Sequence, residues 1–220
     1  VEVCAQIEAH GLKLKEAEAA IIDATLVESA ARPRTHIEAP QDRAEDEASD
    51  APDVHFSADP DARWVKKGSK STLGYKVFAR ADEEGFIDKV RATPANRAES
   101  PEFGCMIEGA SARRVLADKA YASKAKRERL RGKHRDGIMR KAARKAPLRA
   151  SEKRFNKLIS KRRFRVEQCL GTMKRLFGLH RARYFGQAKT HAQLAMAAIG
   201  QNLLKAANKI TFNPKTPAIA

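Results

Sequence analysis

Arg113-Arg-Val-Leu-Ala-Asp118-Lys-Ala-Tyr121 is a short apolar run that ends on a carboxylate. Ser123 follows it as a helix cap for the basic stretch from Lys124 to Arg131. Strand, acid, turn and helix in that order put Asp118 at the mouth of a sheet, where side chains of adjoining strands converge. The reading of the whole chain grows outward from this unit.

Upstream, Ala19-Ala-Ile-Ile-Asp23-Ala-Thr-Leu-Val27 is a second compact apolar run with β-branched residues, suited to a buried strand and interrupted by Asp23. A carboxylate inside a strand is costly unless it meets a cation or sits where the strand surfaces. Between the two acids, Leu73 to Ala81 and Phe86 to Ala92 flank the turn Asp82-Glu-Glu-Gly85 and read as a β-hairpin. Trp64, just ahead of it, is read as a core anchor beside the hairpin in preference to a stacking platform for a base. Thr93-Pro-Ala-Asn96 is a turn, and Ser100 to Gly109 a short helix. Downstream come a short strand at Gly137-Ile-Met-Arg140, a long helix from Ser151 to Phe177 with Ser151 as its cap, and an Ala- and Leu-rich helix from Thr190 to Lys209. Strands and helices intermix, so the fold class is α/β of the mixed α+β kind.

Three segments lie outside this pattern. Residues 1–19 hold a short helix and a break at Gly11, and the first residue, Val1, leads to the expectation of an N-terminally truncated chain. Residues 30–61 turn abruptly to Pro, Ala, Asp and Glu, which reads as an acidic, solvated, disordered insertion within a unit spanning 20–210. Residues 211–220 read as a flexible tail.

The 220 residues carry a formal charge of +17, and the sequence pI is about 10.1. Between Lys119 and Lys189 there are 25 Lys or Arg against four acids, a field that calls for a polyanionic partner. Nucleic acid fits better than an anionic membrane surface, and no apolar run approaches the roughly 18 residues needed to span a bilayer. Cys4, Cys105 and Cys169 are odd in number and far apart, which argues against a disulfide framework or structural zinc and for a reducing cytoplasm.

Within the basic half, Glu167 is the only acid from Lys153 to Ala220. On a helix, Arg163, Glu167 and Lys174 project from nearly one line, with Val166, Leu170, Met173 and Phe177 on the neighbouring face. Two readings stand: an i, i+4 ion pair with Arg163, or a metal ligand. With Asp23 and Asp118, Glu167 makes three carboxylates that stand apart from their surroundings. If the strands adjoin and the helix crosses them, the acids can hold hard divalent cations.

The order and spacing of several motifs resemble the DDE transposases of bacterial insertion sequences, family five and its relative family four. The matching text is Ile22-Asp23-Ala-Thr-Leu-Val27, Ala62-Arg-Trp-Val-Lys-Lys-Gly68 with Gly74-Tyr-Lys76, Thr93-Pro-Ala-Asn96 and Ala117-Asp118-Lys-Ala-Tyr121. It ends with Arg163-x3-Glu167-x6-Lys174 and Phe177-Gly-Leu-His-Arg-Ala-Arg-Tyr184. Departures are Ser160 where the family has Tyr, Arg97-Ala98 in place of a His-Asp pair, and Phe78 at a common His position. The resemblance implies a ribonuclease-H-like, retroviral-integrase-like mixed sheet flanked by helices. It implies catalytic and metal-binding roles for Asp23, Asp118 and Glu167, with two Mg2+ or Mn2+ ions. It also implies a catalytic domain over 20–210 with residues 1–19 the remnant of an upstream helical region, double-stranded DNA as partner, both transposon ends and target, a homodimer in the active complex, and a nucleoid-associated bacterial protein.

Arg163 and Lys174 are expected to bind phosphates beside the metals, Arg163 alternatively pairing with Glu167. Lys119, Arg162, Arg175, Arg181 and Arg183 complete the expected DNA contacts, and Tyr121 either joins Lys119 or packs inside. The competing functions are a ribonuclease-H-like nuclease that cuts without joining, and an inactive basic DNA-binding remnant.

Overall fold

A computed structural model describes residues 2–13, 17–32, 58–143 and 146–210. Its centre is β1 (Ala19–Glu28), the strand predicted around Asp23. On one side β1 pairs antiparallel with the twelve-residue β3 (Lys70–Ala81), Asp23 lying opposite Ala79. On the other it pairs parallel with β5 (Arg114–Ala117), but only from Ala19–Arg114 to Ile21–Leu116. β6 (Arg135–Ile138) adds a further parallel strand beyond β5. Across the far edge of β3 lie β2 (Arg63–Lys67), against its start, and β4 (Ile87–Pro94), against its end. The six strands form one mixed sheet.

Period-two alternation divides the side chains of this sheet between two layers. Ile21, Val27, Tyr75, Val77, Ala79 and Leu116 face α4 (Ala150–Leu176) and α5 (Gln187–Ala207). Ala20, Ile22, Phe78, Val115 and Ala117 face Phe103 and Met106 of α2 (Glu99–Ile107) and Leu130 of α3 (Lys124–Leu130). Helices on both faces of a mixed sheet are the ribonuclease-H-like arrangement expected from the sequence. α1 (Glu2–Ala9) lies at the periphery, where Ile7 meets Phe86 and Ala206. Asn202 of α5 locks the layers together: buried, it accepts from the Ile87 amide and donates to the Ile87 carbonyl, both at 2.7 Å.

Several local expectations need correction. Trp64 is not a core anchor: it lies on β2, at the sheet edge, and is 41% exposed. The cap of α4 is not Ser151. The helix begins at Ala150, and the Glu152 carboxylate accepts from the Arg149 amide at 2.9 Å, which places Ser151 inside the first turn. α5 starts three residues early, at Gln187, and β6 two residues early, at Arg135. Ser123 does cap α3, its hydroxyl accepting from the Lys126 amide at 3.3 Å.

The acidic insertion also ends sooner than residue 61. Asp59 is fully buried, accepting from the Ser29 and Tyr75 hydroxyls at 2.6 Å each and from the Gly186 amide at 3.0 Å. Residues 33–57 and 211–220 lie outside the described residues. No described helix is long and apolar enough to cross a membrane.

Candidate active site

The parallel ladder between β1 and β5 sets the geometry. Its last pair is Ile21–Leu116, and Asp23 and Asp118 each stand two residues further on. Equal steps of two keep both acids level and on the face of Ile21 and Leu116, the face that α4 covers. Where the strands stop pairing, Asp118 turns the chain: its Oδ1 accepts from the Lys119 amide at 2.6 Å and caps the 3-10 turn Lys119–Tyr121.

α4 approaches with a buried stripe of Ile159, Arg163, Val166, Leu170 and Met173, spaced four, three, four and three. Four members are apolar and the fifth is an arginine, 7% exposed. Its guanidinium fills the end of the Asp23–Asp118 cleft: Nη2 donates to Asp23 Oδ1 at 2.8 Å, and Nη1 is 3.7 Å from Asp118 Oδ1. Glu167, one turn further along α4, brings Oε1 to 4.0 Å from Nη2. Three carboxylates from β1, the end of β5 and α4 therefore converge on one cation.

Burial increases outward to inward, from Glu167 at 49% side-chain exposure through Asp118 at 34% to Asp23 at 19%. Burial raises the Asp23 carboxyl above its ordinary pKa; Arg163 and the Ala24 amide pull it down, while Glu167 and Glu99 add to the rise. Of the sequence alternatives for Arg163, the ion pair with Glu167 is present at 4.0 Å, and Asp23 is a closer partner at 2.8 Å. The sequence did hold the signal. A cation at a core position of a helical stripe, in a chain with an acid inside an apolar strand, points one at the other.

The donor set is three carboxylates around a single positive charge, oxygen ligands of the kind hard divalent cations take. By that chemistry the residues fit a divalent metal. Among the described residues no group of three His, Cys, Asp or Glu stands close enough to chelate one as arranged, because the guanidinium lies between the acids.

The expected DNA contacts divide into two groups. Lys119, Arg162, Arg175 and Arg183 are exposed, and Lys174 is half-buried two turns beyond Glu167. Arg181 holds the chain itself, donating to the Ser29 and Ala30 carbonyls at 3.0 and 3.1 Å. Tyr121 is an inside residue, fully buried with its ring 5.5 Å from that of Phe103.

Comparison with known proteins gives the family. Residues 15–203 match the Transposase DDE domain family. Over 209 residues the chain is 40% identical to the transposase for insertion sequence element IS1106 of Neisseria meningitidis serogroup B, spanning 94% of this chain and 71% of that protein. No solved structure matches the chain. With the family domain matching most of its length and a transposase so similar along nearly all of it, the chain belongs to the DDE-domain transposases of insertion sequences.

Proposed function

We propose that Asp23, Asp118 and Glu167 are the acids with which this chain cuts DNA at insertion-sequence ends and joins the freed 3′ hydroxyl to a target phosphodiester. The observation that carries this reading is their convergence on the buried Arg163 guanidinium from three separate elements. Transposase domains of this family use divalent metals. We infer that the three acids hold two such ions, Mg2+ or Mn2+, which when bound supply positive charge to the attacking and leaving oxygens of an in-line displacement.

The chain's own residues prepare that chemistry. Asp23 and Asp118 are set by the ladder below them, and Glu167 by the packing of Val166 and Leu170 beside it. Arg163 offsets part of their mutual repulsion and lessens the barrier to an incoming phosphate. Lys119 and Lys174 flank the acids as point charges for the backbone. Two transposon ends and a target joined in one complex call for a homodimer acting on double-stranded DNA.

The test is Glu167→Gln in a Mg2+-dependent cleavage assay paired with a DNA-binding measurement. Cleavage is expected to vanish while affinity stays equal or rises slightly, since one negative charge is lost. A variant that cuts as well as the parent removes Glu167 from the site. A pre-cut transposon end then separates transposase from nuclease, because only the former gives a joined product.

A further inference from the structure

Among the described residues β1 is unpaired on its β5 side from Ile22 to Val27, until Glu28 bridges to Arg181, and a groove of about 430 Å³ opens along it. Thr25, two residues past Asp23, lines its near end; the tip of the β2–β3 hairpin supplies Lys67 and Lys70, and α4 supplies Lys174. His180 closes one wall. Among the described residues the one carboxylate lining it is Glu28, engaged with Lys70 at 3.0 Å.

Among the described residues that line the groove, the cations therefore outnumber the carboxylates. Lys174 registers the excess: burial lowers its ammonium pKa, Lys67 and Lys70 lower it further, and Glu28 opposes only in part. Like charges brought together around a cleft are costly unless an anion comes between them.

The placement ties the groove to the acids. Thr25 lies about 7 Å from Asp23 along the strand, and Lys174 about 10 Å from Glu167 along the helix. At 3.4 Å of rise per nucleotide, the groove spans about three nucleotides from the acids. Its donors are ammonium groups, which serve phosphates as point charges and carry no base code.

We propose that this groove seats the phosphodiester backbone of the DNA leading to the acids, with Lys67 and Lys70 of the β2–β3 hairpin joining Lys174 as its phosphate ligands. The proposal rests on the transposase reading of the site and adds the hairpin to it. It also accounts for an exposed β2–β3 hairpin tip that carries Lys66, Lys67 and Lys70 around Gly68.

The experiment is a salt titration of binding to a random-sequence DNA duplex of about 30 base pairs, in chelator, with the full chain. Lys67→Gln/Lys70→Gln is compared with Lys133→Gln/Lys157→Gln, which removes two exposed charges elsewhere. Loss of two phosphate contacts should flatten the slope of log affinity against log salt by about 1.8 and lower affinity at 100 mM salt roughly 10- to 60-fold. The control pair should change the slope by less than half as much, and Glu28→Gln should leave affinity equal or higher. Equal slopes for the two double variants, or weaker binding by Glu28→Gln, would overturn the proposal. Neither result depends on cleavage, so the groove can fail while Glu167→Gln still abolishes cutting, and the transposase reading can fail while the hairpin still binds phosphate.

Discussion

Replacing Arg163 with Met keeps the length of the side chain and removes its charge. The Arg163 side chain is 8% exposed, and its guanidinium sits 2.8 Å from the carboxylate of Asp23, whose side chain is 19% exposed. Breaking a buried pair by deleting one partner costs about 3–5 kcal/mol, because the other charge is left without compensation. The residual exposure of Asp23 puts the expected loss near the lower figure, about 3 kcal/mol. For a chain of this size that is a Tm decrease of about 6–12 °C.

Asp23→Asn should be much milder, below about 1 kcal/mol, since its amide oxygen still accepts from Arg163. The guanidinium also keeps Asp118 at 3.7 Å and Glu167 at 4.0 Å. In the Arg163→Met background, Asp23→Asn should raise stability, giving a coupling of about 1.5–3 kcal/mol in a double-mutant cycle. Urea denaturation in chelator measures all four proteins. Effects that add to within about 0.5 kcal/mol would refute the account, since independent sites behave so.

Other outcomes follow from the same structure. Burial raises the Asp82 pKa to about 6 against the opposing Phe86 amide and Lys13, so the folded state holds that proton more tightly than the unfolded one. Stability is therefore fully present below the unfolded value near 3.8 and is lost as pH rises to about 6. Asp82→Asn, which can still accept from Phe86, should be more stable than the parent by about 1–3 kcal/mol at pH 7.5 and by almost nothing at pH 4, in paired denaturant titrations. Gly74→Ala would drive a methyl group onto the Val27 carbonyl and the Ser29 amide, backbone that is already bonded across the ladder. A loss of about 3 kcal/mol or more is expected on thermal melting. Asn202→Ala takes the side-chain acceptor from the Ile87 amide and leaves the Ile87 carbonyl with the weak Cys4 thiol donor, and should cost about 1–3 kcal/mol, with faster amide exchange at the start of β4.

The sequence was most legible where local chemistry and burial agree. The runs at 19–27 and 114–117 are apolar enough to be strands anywhere, and the hairpin turn at Asp82–Gly85 carries its own signature. Ser123 announces α3 because a hydroxyl cap needs only its own helix. The misread features depend on partners far along the chain. Asp59 looked like part of a solvated acidic run, since nothing near it in sequence discloses Ser29, Tyr75 or Gly186. Trp64 looked like core because a large aromatic beside a hairpin usually is, whereas β2 is an edge strand with one face open. Arg163 was placed on the right helix with Glu167 as a neighbour and its closer partner was missed, because an i, i+4 relation is visible locally and a bond to residue 23 is not.

Three rungs, Ala19–Arg114 to Ile21–Leu116, fix how far Asp23 lies from Asp118. The strands that the chain adds between those acids, β2, β3 and β4, all join the sheet on the opposite side of β1. A very short ladder therefore carries the separation by itself, and a slip of one residue in it would turn an acid to the wrong face however well the rest of the sheet held.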